Sequence, residues 1–153
     1  MWPDHCVQGS KGAEYHPELA REEKDIEVLK GQIKLVESYS GFGSEFENTG
    51  MTEYLKNDKI THVYVCGLAY DYCVGSTAES SAKEGFKTFC IMDATRSVAA
   101  PGSTSVPDMN KRLKHVGVVK INMDQIGETC EAEGFESTIP DEKEWDYTIP
   151  CLQ

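Results

Sequence analysis

The sequence predicts an α/β fold, a three-layer sandwich in which a mostly parallel sheet is flanked by helices. Short runs of apolar and β-branched residues alternate along the chain with stretches in which apolar residues recur at i, i+3 and i+4, a pattern typical of βαβ units. The chain has 153 residues, the usual length of one domain. The predicted strands are residues 26–30, 62–66, 87–92 and 117–121.

Three helices are predicted to connect or follow these strands. The first covers residues 48–58, where Asn-Thr is a start signal and Asn-Asp a stop signal. The second covers residues 74–86 and has small side chains on its inward face, so it can lie close to the sheet. The third begins at Ser105, where a serine, a proline and an acidic residue form a start signal, and turns Met109 and Leu113 inward.

The charge of the chain excludes some partners. Acidic residues outnumber basic ones by 26 to 15, which gives a formal net charge of −11. Such a chain is not expected to bind nucleic acid or an anionic membrane surface. Much of the acid lies near the C-terminus, so we expect a domain over residues 1–126 and an acidic tail over residues 127–153 that contributes solvation. Large apolar side chains in the tail could dock on the domain or on a second subunit of a homo-oligomer.

The cysteines indicate a reducing compartment. The six cysteines include no Cys-x-x-Cys pair, and several fall within predicted strands, which argues against a zinc ribbon or a disulfide framework. No apolar run reaches the roughly 20 residues that cross a bilayer, and the first residues lack the basic and apolar regions of a secretion signal. We therefore expect a cytoplasmic chain with reduced thiols and no membrane partner.

Cys73 lies where the predicted strand over residues 62–66 passes into the predicted helix over residues 74–86. A helix N-terminus favours an anion, so this position favours a reactive thiolate. The carboxyl end of a parallel strand is also where α/β proteins bind ligands. The alternative is that Cys73 packs as a small apolar side chain, as free cysteines usually do. The neighbouring Asp71 and Tyr72 favour a site, because neither is a usual choice for a strand core.

Four segments of the sequence together resemble one family. They are WPDHCVQG at 2–9, VLKG at 28–31, ESYSGF at 37–42 and CGLAYDYCVG at 66–75. In this order and spacing they resemble the nicotinamidase group of the isochorismatase-like cysteine hydrolases, and the resemblance covers roughly residues 1–122. It implies an isochorismatase-like sandwich over the domain.

The resemblance implies an amidohydrolase whose substrate is nicotinamide. Cys73 would attack the carboxamide, release ammonia and leave a thioester that water hydrolyses to nicotinate. Lys30 would be the cationic partner of the thiolate, although a lone lysine here would otherwise be read as a strand ending in solvent. The backbone N–H groups of Ala69 and Cys73 would form the oxyanion hole, with a cis peptide bond between Leu68 and Ala69.

The resemblance also assigns a ring pocket and a metal ligand. Four residues would contact the substrate: Trp2, Tyr39, Leu68 and Tyr72. A flat heteroaromatic ring stacks well on aromatic faces. His5 would be a ligand of a divalent zinc or iron ion. Each assignment has an ordinary alternative, because aromatic residues often serve only packing and a lone histidine is usually a loop residue.

The chain departs from the family pattern in one respect. Family members carry, ahead of the first of these motifs, a strand with a catalytic aspartate and a D-x-H pair of metal ligands, and the printed sequence does not contain them. Asp4 and Asp25 are not in matching contexts. His5 alone cannot hold a metal, so the metal is expected only in a complete protein. The sheet is expected to lack its N-terminal strand, which leaves unpaired strand edges and a marginal fold.

Two alternatives to a nicotinamidase stay open. One is another hydrolase of the isochorismatase superfamily that acts on a different amide or on isochorismate, although Trp2 and His5 favour a pyridine substrate. The other is a catalytically inactive remnant that binds a partner or a ligand, because the aspartate is missing. Ammonia release from nicotinamide distinguishes these readings.

Overall fold

The computed structural model describes residues 4–127 and Ile139, in which a short antiparallel hairpin precedes a three-stranded parallel sheet. The strands are β1 (Gly43–Ser44), β2 (Glu47–Asn48), β3 (His62–Leu68), β4 (Lys87–Arg96) and β5 (Val119–Ile121). The α-helices are α1 (Met51–Asn57), α2 (Gly75–Lys83) and α3 (Ser105–His115). Single turns of other helix types lie at Lys11–Ala13, Tyr70–Val74 and Met123–Gln125.

The three-stranded sheet confirms the predicted parallel arrangement. β4 lies in the middle and pairs in parallel with β3 and with β5. Successive residues of a strand point to opposite faces of a sheet. Accordingly, Phe89 and Ile91 of β4 pack in a cluster with Ile121, while Cys90 and Met92 pack in a second cluster with residues of α2 and α3. Both faces of β4 are therefore buried, as is typical of parallel sheets.

The three predicted helices form near their expected positions. α3 buries Met109 and Leu113, as its sequence predicts. α2 buries Ala78 and Ser81, whose small side chains let the helix lie close to β4. No helix in the described part of the chain is long and apolar enough to cross a membrane.

Residues 26–30 do not form the predicted strand. Ile26 and Leu29 are 55% and 59% exposed, and no strand of the described residues lies beside them. A strand is stable only when a neighbour completes its backbone hydrogen bonds and covers one of its faces. The prediction was wrong because a run of apolar residues does not by itself supply that neighbour.

The boundaries of the other strands shift by a few residues. β3 extends past the predicted end at Cys66 to Leu68, and β4 extends past Met92 to Arg96. β5 begins later than predicted because Gly117 has φ +78°, a left-handed conformation typical of the residue that follows a helix.

β3 is an outer strand of the sheet. It pairs with β4 on one side, and no strand within residues 4–127 pairs with its other side. Leu68, its last residue, is 61% exposed. Unpaired strand edges of this kind favour association with another strand.

Ile139 contributes to the main core although it is far along the chain. It is buried, and it belongs to the cluster that contains Val65, Met109 and Leu113. The prediction that the tail over residues 127–153 contributes solvation otherwise falls on residues outside the described part of the chain.

The start of α2 lies close to α3 at Gly75. A Cβ atom at this glycine would overlap Met109 and would lie 2.5 Å from the carbonyl oxygen of Tyr70. The methionine side chain can move, but the Tyr70 carbonyl is backbone. Gly75 is therefore required by close packing.

We expect Gly75→Ala to lower the free energy of unfolding by about 1–3 kcal/mol, because an added methyl group overpacks this contact. Urea unfolding followed by circular dichroism measures the change. Gly12→Ala is the matched control, since a Cβ there would meet only Ser10 Oγ at 3.7 Å. An unchanged midpoint for Gly75→Ala would show that α2 and α3 separate freely at this point.

Candidate active site

Cys73 and Lys30 come together from distant parts of the chain. Lys30 Nζ lies 3.5 Å from Cys73 Sγ and donates a hydrogen bond to the carbonyl oxygen of Ser38 at 2.8 Å. Both side chains lie in partly buried surroundings. An ammonium group at this distance can donate a hydrogen bond to the sulfur. Within the described residues, Lys30 is the only hydrogen-bond partner of the sulfur.

The turn that carries Cys73 is a π-helix, Tyr70–Val74, which continues directly into α2. The Val74 N–H donates to the Ala69 carbonyl oxygen at 3.0 Å, a bond across five residues that is characteristic of this helix type. The sequence predicts Cys73 at the N-terminus of an ordinary α-helix and does not predict this π-helical turn. The peptide bond between Leu68 and Ala69 is cis, as the family resemblance implied.

Asp71 connects this turn to the loop that follows β4. The residue is 5% exposed, and its carboxylate accepts hydrogen bonds from the Val98 N–H at 2.9 Å and the Ala99 N–H at 3.1 Å. The Ser105 hydroxyl donates a third bond at 2.8 Å. The sequence marks Asp71 as an unusual polar neighbour of Cys73, and its hydrogen bonds show that it holds a loop in place.

Asn110 connects the same turn to β5. Its Oδ1 accepts a hydrogen bond from the Tyr70 hydroxyl at 2.5 Å and another from Lys120 Nζ at 2.8 Å. Tyr70 and Lys120 are both buried. The turn that carries Cys73 is thus held from α3 and β5 as well as from the loop after β4.

A second buried carboxylate contacts the backbone next to Lys30. Glu47 accepts hydrogen bonds from the Gly31 N–H at 2.9 Å and the Gln32 N–H at 2.6 Å. The Ser38 hydroxyl, these two N–H groups and the positive charge of Lys30 lower the pKa of Glu47, so the side chain is ionised at neutral pH. The sequence does not predict this role for Glu47, because an acidic residue beside a hairpin turn usually faces solvent.

The structure brings together two of the four predicted pocket residues. The rings of Tyr39 and Tyr72 have centroids 5.7 Å apart and an angle of 48° between their planes. Burial raises the pKa of the Tyr39 phenol, and the charge of the neighbouring Glu37 adds to that effect, so the ring is neutral at physiological pH. Leu68 lies exposed at the end of β3, and Trp2 lies outside the described residues.

The described residues do not supply a complete set of metal ligands. His5 is exposed, and the described part of the chain contains no group of three or more His, Cys, Asp or Glu side chains that could hold an ion. A protein zinc site needs three or four such ligands. The zinc or iron ion that the resemblance implied therefore does not fit these residues alone.

A comparison with protein families decides what kind of chain this is. The family model described as the isochorismatase domain matches residues 1–125. The chain belongs to the isochorismatase family. Cys73 and Lys30, whose side chains are in contact, both fall within the matched part.

This isochorismatase-family chain is similar in sequence to nicotinamidases. The nicotinamidase of Acinetobacter baylyi is 37% identical over 117 residues, which are 75% of this chain and 50% of that protein. The nicotinamidase of Escherichia coli is 39% identical over 100 residues, which are 64% of this chain and 47% of that protein. The chain spans about half the length of the curated relatives it matches. It is an isochorismatase-family chain that is related in sequence to nicotinamidases.

Solved structures confirm the fold class. The Acinetobacter baumanii nicotinamidase/pyrazinamidase has a TM-score of 0.76 and 38% identity, over 82% of this chain and 61% of that one. The L. infantum PnC1 complex with nicotinate has a TM-score of 0.74 and 34% identity, over 81% and 62%. The Pyrococcus horikoshii pyrazinamidase complex with zinc has a TM-score of 0.68 and 29% identity, over 80% and 64%. The chain therefore has the isochorismatase-like α/β fold.

Proposed function

We propose that the complete protein is a nicotinamidase-type amidohydrolase that converts nicotinamide to nicotinate and ammonia. The observation that carries the proposal is the placement of Lys30 Nζ 3.5 Å from Cys73 Sγ, in a chain whose relatives are nicotinamidases. A cysteine that follows a parallel strand, with an ammonium group beside it, suits nucleophilic attack on an amide carbonyl.

Cys73 is the proposed nucleophile. Its sulfur forms a C–S bond with the carboxamide carbon, and the carbonyl π electrons move to the oxygen. When the carbonyl reforms, the C–N bond breaks, and the nitrogen takes up the proton that the thiol has lost and leaves as ammonia. Water then attacks the thioester, and the C–S bond breaks to leave nicotinate and the Cys73 thiolate. Of the two protons from the water, one returns to the sulfur and one passes to solvent. Lys30 stabilises the thiolate before attack and after hydrolysis.

The remaining assignments concern the substrate. The backbone N–H groups of Ala69 and Cys73 are the proposed donors to the developing oxyanion. Tyr39 and Tyr72 are proposed to contact the pyridine ring, together with Leu68. The L. infantum relative has been solved in complex with nicotinate, which supports a pyridine ligand. Trp2 is a proposed part of the pocket by resemblance alone.

His5 is proposed as a metal ligand only in a complete protein. The P. horikoshii relative was crystallised with zinc, but the described residues of this chain do not complete a ligand set. No step of the proposed reaction is therefore assigned to a metal.

A second candidate function is binding of a ligand or partner without turnover. It is favoured by the observation that no carboxylate of the described residues is hydrogen-bonded to Cys73 Sγ. Asp71, the nearest acidic residue in the chain, already accepts three hydrogen bonds elsewhere. Without a general base, a nucleophile can capture an electrophile once and still fail to turn over efficiently.

Cys73 is expected to react with iodoacetamide faster than the other five cysteines in the folded protein. Cys90 should be the slowest of the described cysteines, because burial raises its pKa to about 12. Cys6 and Cys66 are exposed, so they show whether exposure alone determines the rate. Brief alkylation followed by peptide mapping gives the order. Labelling of Cys66 before Cys73 would contradict the assignment of the nucleophile.

Aldehyde protection extends the same measurement to the substrate. Nicotinaldehyde replaces the carboxamide with an aldehyde, which a thiol adds to reversibly. It should protect Cys73 from alkylation and leave Cys66 unprotected, and benzaldehyde, which lacks the ring nitrogen, should protect less. Equal protection by both aldehydes would favour a hydrolase for a different amide. Protection by neither would contradict the proposed pocket.

A further inference from the structure

Lys30 lies in a part of the chain that has no helix or strand to hold it. Residues 26–42 contain no regular element, yet Lys30 Nζ reaches both Ser38 and Cys73. A lysine side chain has four rotatable bonds and loses considerable entropy when it is fixed. Its backbone must therefore be held by contacts outside this segment if the ammonium group is to stay beside the sulfur.

The carboxylate of Glu47 supplies such contacts. Its two oxygens each accept a hydrogen bond from one of two consecutive backbone N–H groups, those of Gly31 and Gln32. Gly31 has φ +69°, the left-handed conformation in which successive N–H groups can converge on one anion. Gln32 also donates from its side chain to the Lys30 carbonyl oxygen at 3.1 Å, which closes the turn.

Glu47 is itself firmly placed. It is 7% exposed and lies in β2, whose backbone pairs with β1 across a two-residue turn. A charged group is rarely buried unless donors surround it, and here two of the donors are the backbone N–H groups of the two residues that follow Lys30. Its negative charge also lies near the Lys30 ammonium group, which favours that cation at this place.

We propose that Glu47 is a positioning residue, which holds the turn after Lys30 so that the lysine ammonium group stays beside Cys73 Sγ. The inference rests on the proposed function only in treating Cys73 as the reactive thiol. Glu47 does not touch the sulfur or a substrate, and it acts through Lys30. A purely structural role would instead lower the stability of the fold without changing the reactivity of Cys73 in the protein that remains folded.

The test measures the rate of Cys73 alkylation by iodoacetamide at pH 7, with Cys66 as the internal reference. Lys30→Ala is expected to slow the reaction about tenfold, because an adjacent positive charge commonly changes the thiolate fraction by that factor or more. Glu47→Gln keeps the size of the side chain but turns an amide NH2 toward a backbone N–H, and it should slow Cys73 about three- to tenfold. Glu47→Asp should give an intermediate rate. Glu45→Gln, an exposed neighbour in the hairpin turn, is the control and should match the unmodified chain.

The double variant Lys30→Ala with Glu47→Gln separates positioning from general damage. If Glu47 acts through Lys30, the double variant reacts at the rate of Lys30→Ala alone. The proposal is overturned if the double variant reacts more slowly than Lys30→Ala, or if folded Glu47→Gln reacts at the wild-type rate. If circular dichroism shows that Glu47→Gln is unfolded, the alkylation rate of Glu47→Asp is used instead. A wild-type rate for Glu47→Asp then overturns the proposal. If Lys30→Ala has no effect, the proposed Cys73–Lys30 pairing fails instead.

Discussion

The 153-residue chain is expected to release ammonia from nicotinamide at least about 10²-fold more slowly than a joined protein. In the joined protein, an added N-terminal segment supplies an aspartate and a D-x-H pair. Loss of a general base typically lowers the rate by at least that factor. The described residues offer the sulfur a lysine and no carboxylate. The A. baylyi nicotinamidase, which is twice as long as its matched region, is a suitable source of the added segment. Ammonia release under identical conditions measures the ratio.

Metal content is measured on the same two proteins. The short chain should hold zinc or iron well below one ion per molecule, and the joined protein close to one, because a single histidine cannot replace three protein ligands. Cys73→Ala in the joined protein is the control that links turnover to the proposed nucleophile. Fast turnover by the short chain, with metal bound, would mean that an acid such as Asp4 takes the part of the absent aspartate.

Asp71→Ala is expected to lower the free energy of unfolding by about 3 kcal/mol, because it removes the charged acceptor of three hydrogen bonds. Each hydrogen bond to a charged group contributes about 1.5–3 kcal/mol, but structural relaxation and the entry of water offset part of the summed loss. The loop after β4 would lose the anchor for two consecutive N–H groups, Val98 and Ala99. Urea unfolding at pH 7 measures the loss.

Ser105→Ala is the matched control for this change. It removes one of the three donors to Asp71 and leaves the two backbone bonds in place, so a loss of about 1 kcal/mol is expected. Equal effects of the two substitutions would indicate that the bonds from Val98 and Ala99 contribute little. The Cys73 alkylation rate of each variant then shows whether the loop also supports the reactive turn.

The sequence predicted the elements whose residues interact locally. Hydrophobic periodicity located the helix that buries Met109 and Leu113, and runs of β-branched residues located the parallel strands on either side of α2. Linear motifs identified Cys73 and Lys30 as a pair, and the structure places their side chains at contact distance. Their chemical roles stay a prediction, which the alkylation experiments address.

The features that the sequence did not predict depend on contacts between distant residues. The segment at 26–30 contains strand-forming residues but meets no partner strand in the described part of the chain. In the sequence, Glu47 resembles any acidic residue next to a hairpin turn. Only the folded chain shows that its carboxylate accepts a hydrogen bond from the Gly31 N–H. The bonds of Asp71 to Val98 and Ala99 span 27 and 28 residues, a separation at which periodicity and spacing carry no information.

The π-helical turn has a consequence for insertions and deletions. One residue advances an α-helix by about 100°, so a single deletion between Ala69 and Gly75 would swing the Cys73 side chain about a quarter-turn away from Lys30. Most substitutions in this stretch preserve that angle, because the backbone bond from Val74 to Ala69 needs no particular side chain. The length of this segment is therefore more tightly constrained than the identity of most of its residues. An alignment of related chains should show substitutions in this segment but no insertions or deletions.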